Sequence, residues 1–135
     1  MVRDQIIVIC DRYAFSGIAF SASKGLPYEW CRSPDIGLPA PDLTLFLDIS
    51  PEKARERGGY GEERYETERM QQRVGEIFER INHEMNGISE SGLGKWVTID
   101  AAHDRDTVAQ VLRKYVDPFV DGIDLPMQKL WSKEY

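Results

Sequence analysis

The fold is decided by a strand-to-helix junction in the middle of the chain, Leu43-Thr44-Leu45-Phe46-Leu47-Asp48-Ile49 followed by Ser50-Pro51-Glu52-Lys53. The apolar run predicts a buried strand, because a strand covered on both faces carries apolar side chains at nearly every position. Ser50 is a good helix-capping residue and proline suits the first helical position, so a short helix is predicted from Pro51 to Arg57.

Two further segments predict strands before and after this junction. Ile6 to Cys10 is apolar at every position and β-branched at four of five, which is typical of a central strand in a parallel sheet. Trp96 to Asp100 predicts a third, shorter strand. Each predicted strand has an aspartate at or just past its end: Asp11, Asp48 and Asp100.

The segments around the strands predict helices. One is predicted over Ala14 to Lys24, closed by Gly25, and a long one from about Glu63 to Asn86. Asp104 can cap a last main helix, and a short helix is expected between Leu26 and Ala40. The side chains expected to be buried, the last three in a final helical turn, are Phe15, Ile18, Ala19, Tyr28, Trp30, Met70, Val74, Ile77, Phe78, Ile81, Met85, Val108, Val111, Leu112, Tyr115, Phe119, Met127, Leu130 and Trp131.

Alternating strands and helices imply βαβ units, and therefore an α/β fold with a parallel sheet and helices on both faces. The 135 residues, 41 % of them apolar and 30 % charged, suffice for one domain. The longest apolar run has five residues and the first residues carry no export signal. We therefore expect no membrane segment and an intracellular, most simply cytoplasmic, location, with the nucleus or mitochondrion left open.

Charge and composition exclude several classes of function. The net charge is −6, from 17 basic and 23 acidic side chains, and no third of the chain is basic, which disfavours nucleic-acid binding. Cys10 and Cys31 fit no metal or disulfide motif, and His83 and His103 lack neighbours at zinc-ligand spacing. The aspartates that follow the predicted strands mark the carboxyl edge of the sheet, where open α/β sheets bind ligands. This edge is the candidate site.

The sharpest local signal is Asp11-Arg12, an acid and a base where the first predicted strand opens into a helix. A carboxylate at this place can hold a hydrated Mg²⁺, and a guanidinium can grip a phosphate with two hydrogen bonds. Taken alone, the pair is more simply interpreted as a helix cap at Asp11 and a surface ion pair at Arg12.

A second signal is a glycine-rich segment between two predicted helices, Arg57-Gly58-Gly59-Tyr60-Gly61 with the charged residues that follow it to Glu66. Glycines leave the backbone free to hinge, and flanking arginines could close over a polyphosphate and exclude water. The charge run by itself is also compatible with an ordinary solvated loop.

Together these segments resemble the thymidylate kinases, most closely their eukaryotic branch, which are P-loop enzymes that pass the γ-phosphate of ATP to dTMP. The resemblance is carried by Asp11 to Gly17 with Ala19-Phe20, by Trp30-Cys31, by Pro34 to Pro39 with Pro41 to Leu43, and by Arg57 to Gly61 with Glu63 to Glu66. It continues more thinly through Gln71, Asp100-Ala101 and Leu130-Trp131.

The resemblance implies a fold, co-substrates and roles for individual residues. It implies the sheet of the P-loop nucleoside monophosphate kinases, ATP as co-substrate, Mg²⁺ and a homodimer. Asp11 would lie near the magnesium and Arg12 would bind the phosphate of dTMP. The remaining implied contacts are Ser16, Gly17, Phe20, Tyr65 and Gln71 for dTMP, and Arg57, Gly58, Gly59 and Gly61, in a lid over about 57–66, for ATP.

One family feature is missing from the sequence. The phosphate-cradling pattern G-x-x-x-x-G-K-[ST] does not occur in the 135 residues. We therefore expect residues 1–135 to form a single partial domain, the carboxyl-terminal two thirds of the family's, without the P-loop strand and its helix. That strand lies in the middle of the sheet in relatives, so its loss predicts uncovered apolar surface, marginal folding and very weak turnover.

The alternative function is a nucleotide-binding remnant that keeps the monophosphate pocket without transferring phosphate. A related deoxynucleoside kinase would share an Asp-Arg pair after a strand. The segment from Gly58 to Glu66 fits that family poorly.

Overall fold

Seven helices and strands are formed by the residues that the structure, a computed structural model, describes: 6–58, 67–88, 94–124 and 126–132. In chain order they are α1 (Ala14–Ser23), α2 (Tyr28–Arg32), β1 (Leu43–Asp48), α3 (Pro51–Glu56), α4 (Glu68–Ile88), β2 (Lys95–Asp100) and α5 (Arg105–Val116). Short 3-10 turns follow α2 at Ser33–Asp35 and α5 at Asp117–Phe119.

β1 and β2 pair in parallel, with Leu43 opposite Lys95 and Asp48 opposite Asp100. The chain enters β2 at Gly94, where a side chain would collide with the backbone of Pro41, so glycine is required by this close approach. The predicted strands over Leu43 to Ile49 and Trp96 to Asp100 are confirmed, as are the parallel pairing and the α/β class.

Local capping signals set the ends of several helices. The Ser50 hydroxyl accepts a hydrogen bond from the Lys53 N–H at 3.3 Å, and Pro51 is the first residue of α3. Asp104 caps α5 through the Thr107 N–H at 2.8 Å. Beyond α1 the chain turns at Gly25, whose φ of +95° lies in the left-handed region that favours glycine. These predicted ends are confirmed.

The core lies between α1, α4 and β2. Ile18 and Ala19 on α1 and Ile81 on α4 are 0–1 % exposed. α4 begins after Thr67, whose hydroxyl accepts the Met70 N–H, and it places Met70 in a smaller cluster with Ala19 and Val74. In the described part of the chain, no helix combines the length and the apolar character needed to cross a membrane.

Residues 127–131, called the strap here, dock through backbone pairing at Lys129 and not as the helical turn that the sequence predicted. Pro39 and Lys129 form an antiparallel bridge, and the Leu130 N–H donates to the Leu38 carbonyl at 2.8 Å. Leu130 is 1 % exposed, and Trp131 packs against the main core cluster, so the predicted docking of these two residues is confirmed. Hydrogen bonds to the backbone of residues 37–40 satisfy N–H and carbonyl groups of this segment that a helical turn would otherwise pair, so no helical turn is needed.

The predicted central strand over Ile6 to Cys10 is wrong. The segment forms no strand, and the side chains of Ile6 to Ile9 are 50–87 % exposed. Apolar β-branched sequence favours a strand only where a neighbour satisfies the backbone, and among the described residues the sheet has only two strands. The exposure agrees with the expected uncovered apolar surface.

The predictions of burial for Trp30, for Met127 and for the apolar face of α5 are also wrong. Trp30 and Met127 are each 64 % exposed, although their neighbours Cys31 and Leu130 are buried. No residue of α5 is fully buried, so its apolar face is only half covered by β2. A side chain on a five-residue helix or on the strap is buried only if another part of the chain packs against it. The spacing of apolar residues alone does not show whether such a neighbour exists.

The core packing predicts a large loss of stability for Ile81→Ala. Ile81 is fully buried between α1 and α4, so the substitution leaves a cavity and should lower the free energy of unfolding by about 2–5 kcal/mol. Urea unfolding followed by circular dichroism measures this change. Leu26→Ala, at a side chain that is 44 % exposed, is the matched control, and an equal loss in both variants would contradict the packing described here.

Candidate nucleotide-binding site

Asp11 and Arg12 lie in an exposed bend immediately before α1. Arg12 has a φ of +68°, in the left-handed region that residues other than glycine rarely adopt. Non-glycine residues in this conformation cluster at sites that bind ligands or do chemistry, because surrounding contacts must hold them there. The bend therefore presents a carboxylate and a guanidinium side by side to solvent.

Tyr13 connects this bend to the folded body. Its hydroxyl donates a hydrogen bond to the Pro39 carbonyl at 2.9 Å, and its ring meets the Phe15 ring edge-on at a centroid distance of 6.1 Å. Burial raises the pKa of the Tyr13 hydroxyl, and the nearby Cys10 and Asp35 raise it further. The hydroxyl is therefore protonated and able to donate at neutral pH.

Three of the predicted dTMP contacts lie on α1, and a fourth, Gln71, lies in the first turn of α4. Ser16 is half-buried and Gly17 is exposed on α1, and a side chain at Gly17 would meet no atom within 4 Å. Packing within the chain therefore does not require glycine at this position. Phe20 packs against the cluster that contains Met70, and Gln71 follows Met70 on α4.

A second group of residues surrounds an open cavity of about 540 Å³ at the carboxyl end of the two strands. The Arg57 guanidinium reaches over it and donates a hydrogen bond from Nη2 to the His103 carbonyl at 2.6 Å. The wall is otherwise largely apolar, and its lining residues are Leu47, Arg57, Ala101, His103, Asp104, Arg105, Val108, Ala109 and Leu112.

The loop after β2 shapes this cavity through hydrogen bonds of its own. The Ala101 N–H donates to the Asp48 carbonyl at 2.8 Å, which ties the loop to the end of β1. The Asp100 carboxylate accepts the Ala102 N–H at 2.9 Å, and its other oxygen lies 3.6 Å from His103 Nε2. The loop is thus held by both strands and by the cap of α5.

The site residues predicted from the sequence fall into three sets. One set lies near α1, one lies near the cavity, and the third lies outside the residues that the structure describes. Asp11 and Arg12 stand just before α1, which carries three of the predicted dTMP contacts, while Arg57 lines the cavity and Gly58 follows it in the chain. Gly59, Gly61 and Tyr65, with most of the predicted lid, lie outside the described residues. Asp11 does not end a strand, so only Asp48 and Asp100 occupy the strand ends that the sequence predicted.

Sequence reasoning did not single out His103 and Arg105 as cavity residues. Both residues follow the predicted strand that ends at Asp100. This position could have indicated them, because loops at the carboxyl edge of a parallel sheet form ligand sites.

Comparisons with known proteins decide the family. The thymidylate kinase family model matches residues 1–112. The chain belongs to the thymidylate kinase family. It is 52 % identical over 107 residues to the thymidylate kinase of Schizosaccharomyces pombe, covering 79 % of this chain and 49 % of that protein. It is 46 % identical over 120 residues to that of Caenorhabditis elegans, covering 85 % and 51 %.

A solved structure supports the same assignment. The thymidylate kinase of Candida albicans matches with a TM-score of 0.64 and 30 % identity, covering 87 % of this chain and 58 % of the other. The predicted resemblance and the P-loop kinase fold are therefore confirmed. The chain spans about half the length of the curated relatives it matches.

The cap of α5 predicts a specific dependence of stability on pH. Hydrogen bonds from Thr107 lower the pKa of Asp104 below its usual 3.8, so its contribution to stability is present above that value and is lost as the pH falls through the lowered pKa. We expect Asp104→Asn, which can still cap the helix, to show a weaker loss of stability below about pH 4. Urea unfolding of both proteins across this range measures the difference, and parallel curves would contradict the role of this carboxylate.

Proposed function

We propose that this chain contributes the nucleotide-binding surfaces of a kinase that transfers the γ-phosphate of ATP to dTMP, giving dTDP. The observation that carries the proposal is the exposed Asp11-Arg12 bend, with Arg12 in a rare backbone conformation, in a member of the thymidylate kinase family. Phosphoryl transfer needs positioning and charge stabilisation more than a protein nucleophile, which suits an acid and a base at this place.

The acceptor side of the proposed site lies at the bend before α1, along α1 and at the first turn of α4. There the Arg12 guanidinium would bind the phosphate of dTMP, since an arginine forms two parallel hydrogen bonds with phosphate oxygens. Ser16, Gly17 and Phe20 would line the pocket, and Gln71 would reach the base. Open space at Gly17 supports this arrangement, because a ligand can approach the backbone there. The Tyr65 ring would lie beside the deoxyribose.

The donor side lies at the cavity beneath Arg57. A flat guanidinium held over an apolar cavity can stack on an aromatic base, and we assign this place to the adenine of ATP. Gly58, Gly59 and Gly61 would let the proposed lid, 57–66, move over the phosphates. An ion pair between Arg55 and Glu68 joins the helices at the two ends of this segment.

Magnesium fits the residues present only as a largely hydrated ion. Among the described residues no group of three or more His, Cys, Asp and Glu side chains could hold a metal. Mg²⁺ bound with a nucleotide commonly keeps several waters and takes one or two carboxylates besides phosphate oxygens. The exposed Asp11 suits that role through water, and the ion would neutralise charge on the phosphates.

Binding and turnover are separable properties of this chain. The 135 residues contain no G-x-x-x-x-G-K-[ST] pattern, so these residues do not themselves supply the backbone cradle that P-loop kinases use for the phosphates of ATP. We propose that residues 1–135, a partial domain, bind dTMP and show little or no release of ADP. The family resemblance also supports a homodimer and a cytoplasmic location, and the acidic net charge argues against nucleic acid as a partner.

The acceptor role predicts that Arg12→Ala weakens dTMP binding. A charged hydrogen bond contributes about 1.5–3 kcal/mol, so affinity should fall roughly tenfold or more in calorimetric titrations. Arg113→Ala, on the last turn of α5, removes the same charge elsewhere and should leave affinity unchanged. Equal affinity of wild type and Arg12→Ala would remove Arg12 from the site. ADP release with ATP and dTMP, measured on the same samples, tells a kinase from a non-catalytic binding protein.

The donor role predicts that Arg57→Ala weakens ATP binding and leaves dTMP binding unchanged. The substitution removes the stacking plane over the cavity, and stacking of this kind contributes about 0.5–2 kcal/mol. Arg57→Lys keeps the positive charge without the plane, so it should resemble Arg57→Ala if stacking dominates. Titration with ATP, and separately with dTMP, measures both affinities. A parallel loss of dTMP affinity would contradict a separate donor site.

A further inference from the structure

Among the described residues before the Asp11-Arg12 bend, 6–10, none belongs to a helix or strand that could anchor it. Ile6 to Cys10 forms no strand, and its side chains are largely exposed. Arg12 nevertheless holds a left-handed backbone conformation that is unfavourable for a residue with a side chain. In the described part of the chain, the contacts that can restrain this conformation come from the residues that follow.

Tyr13 is the first residue after the bend that contacts the folded body. Its ring packs edge-on against Phe15, a buried member of the core cluster, and its hydroxyl donates to the Pro39 carbonyl. Tyr13 also occupies the N-cap position of α1, where its side chain makes no capping hydrogen bond. Its contacts are tertiary, so they fix where the bend lies relative to the rest of the molecule.

The acceptor of this hydrogen bond is itself held in place by the strap around Leu130. Pro39 lies in the antiparallel bridge with Lys129, and the flanking Ala40 N–H donates to the Gln128 carbonyl at 2.8 Å. Trp131 at the end of the strap donates from Nε1 to a Glu84 carboxylate oxygen at 2.9 Å. The Pro39 carbonyl is therefore a fixed point to which Tyr13 can attach the bend.

We infer that Tyr13 is a positioning residue for the phosphate site: its hydrogen bond to the Pro39 carbonyl holds the backbone of Arg12 so that the guanidinium faces the phosphate of dTMP. This inference rests on the proposed function of Arg12. Tyr13 itself need not touch the nucleotide, since it acts through the backbone of the residue before it.

Tyr13→Phe tests the inference because it removes the hydroxyl and keeps the ring against Phe15. Tyr28→Phe is the matched control, since it removes a tyrosine hydrogen bond of 2.8 Å, to Glu84, at a residue outside the proposed nucleotide sites. Calorimetric titration with dTMP and with ATP, together with a thermal melt, is carried out on wild type and both variants. Limited trypsin digestion measures cleavage after Arg12 relative to cleavage after Arg105.

The expected result is a selective change in Tyr13→Phe. Its affinity for dTMP should fall about three- to tenfold, the range for loss of one hydrogen bond that orders a binding group, while its affinity for ATP stays at the wild-type value. Cleavage after Arg12 should become faster relative to cleavage after Arg105. Tyr28→Phe should change the melting temperature without changing dTMP affinity or the cleavage ratio.

Three results would overturn the inference. Wild-type affinity for dTMP in Tyr13→Phe, with Arg12→Ala impaired, would show that the Tyr13 hydroxyl does not position Arg12. An equal loss of dTMP affinity in Tyr28→Phe would show that general destabilisation, not positioning, causes the effect. If wild type does not bind dTMP, both the proposed function and this role of Tyr13 are wrong. If wild type binds dTMP and Tyr13→Phe binds it equally well, only the role of Tyr13 is wrong.

Discussion

The ring of Phe15 is the contact on which the arrangement of α1 depends. It meets Trp96 of β2 at a centroid distance of 5.4 Å and Trp131 of the strap at 6.0 Å, both edge-on, and Tyr13 lies on a further side. Edge-to-face packing is favourable because the positive edge of one ring meets the negative face of another. One buried ring therefore connects the helix, the sheet and the strap to the bend that carries Arg12.

A single carboxylate, Glu84 on α4, joins α2 and the strap to α4 through hydrogen bonds. One of its oxygens accepts hydrogen bonds from the Tyr28 hydroxyl and from Trp131 Nε1, and Arg80 stacks on the Tyr28 ring at 3.7 Å. Burial, followed by the bond to Glu84, raises the pKa of Tyr28, so its hydroxyl remains a donor. The several donors around this half-buried carboxylate offset the cost of removing it from water, and its loss would leave these donors without an acceptor.

Features that depend on neighbours in sequence could be predicted, whereas some that depend on a distant partner could not. Ser50, Gly25 and Asp104 act within one helical turn, so their capping and closing roles follow from residue type and position. Ile6 to Cys10 has the composition of a central strand, but a strand exists only where another backbone pairs with it. The same limit explains the exposed Trp30, whose helix of five residues buries only Tyr28 and Cys31.

The proposed acceptor side and donor side of the candidate site also differ in how far apart their residues lie in the sequence. The order Asp11, Arg12, Ser16, Gly17 keeps the acceptor residues within two turns of α1, so sequence proximity already implies that they share a surface. The donor cavity joins residues that are far apart, since Arg57 bonds to the His103 carbonyl across 46 positions. That meeting follows from the parallel pairing of β1 and β2, which places the residues after Asp48 and after Asp100 at one edge. Parallel topology, more than any motif, therefore creates the cavity to which we assign the adenine of ATP.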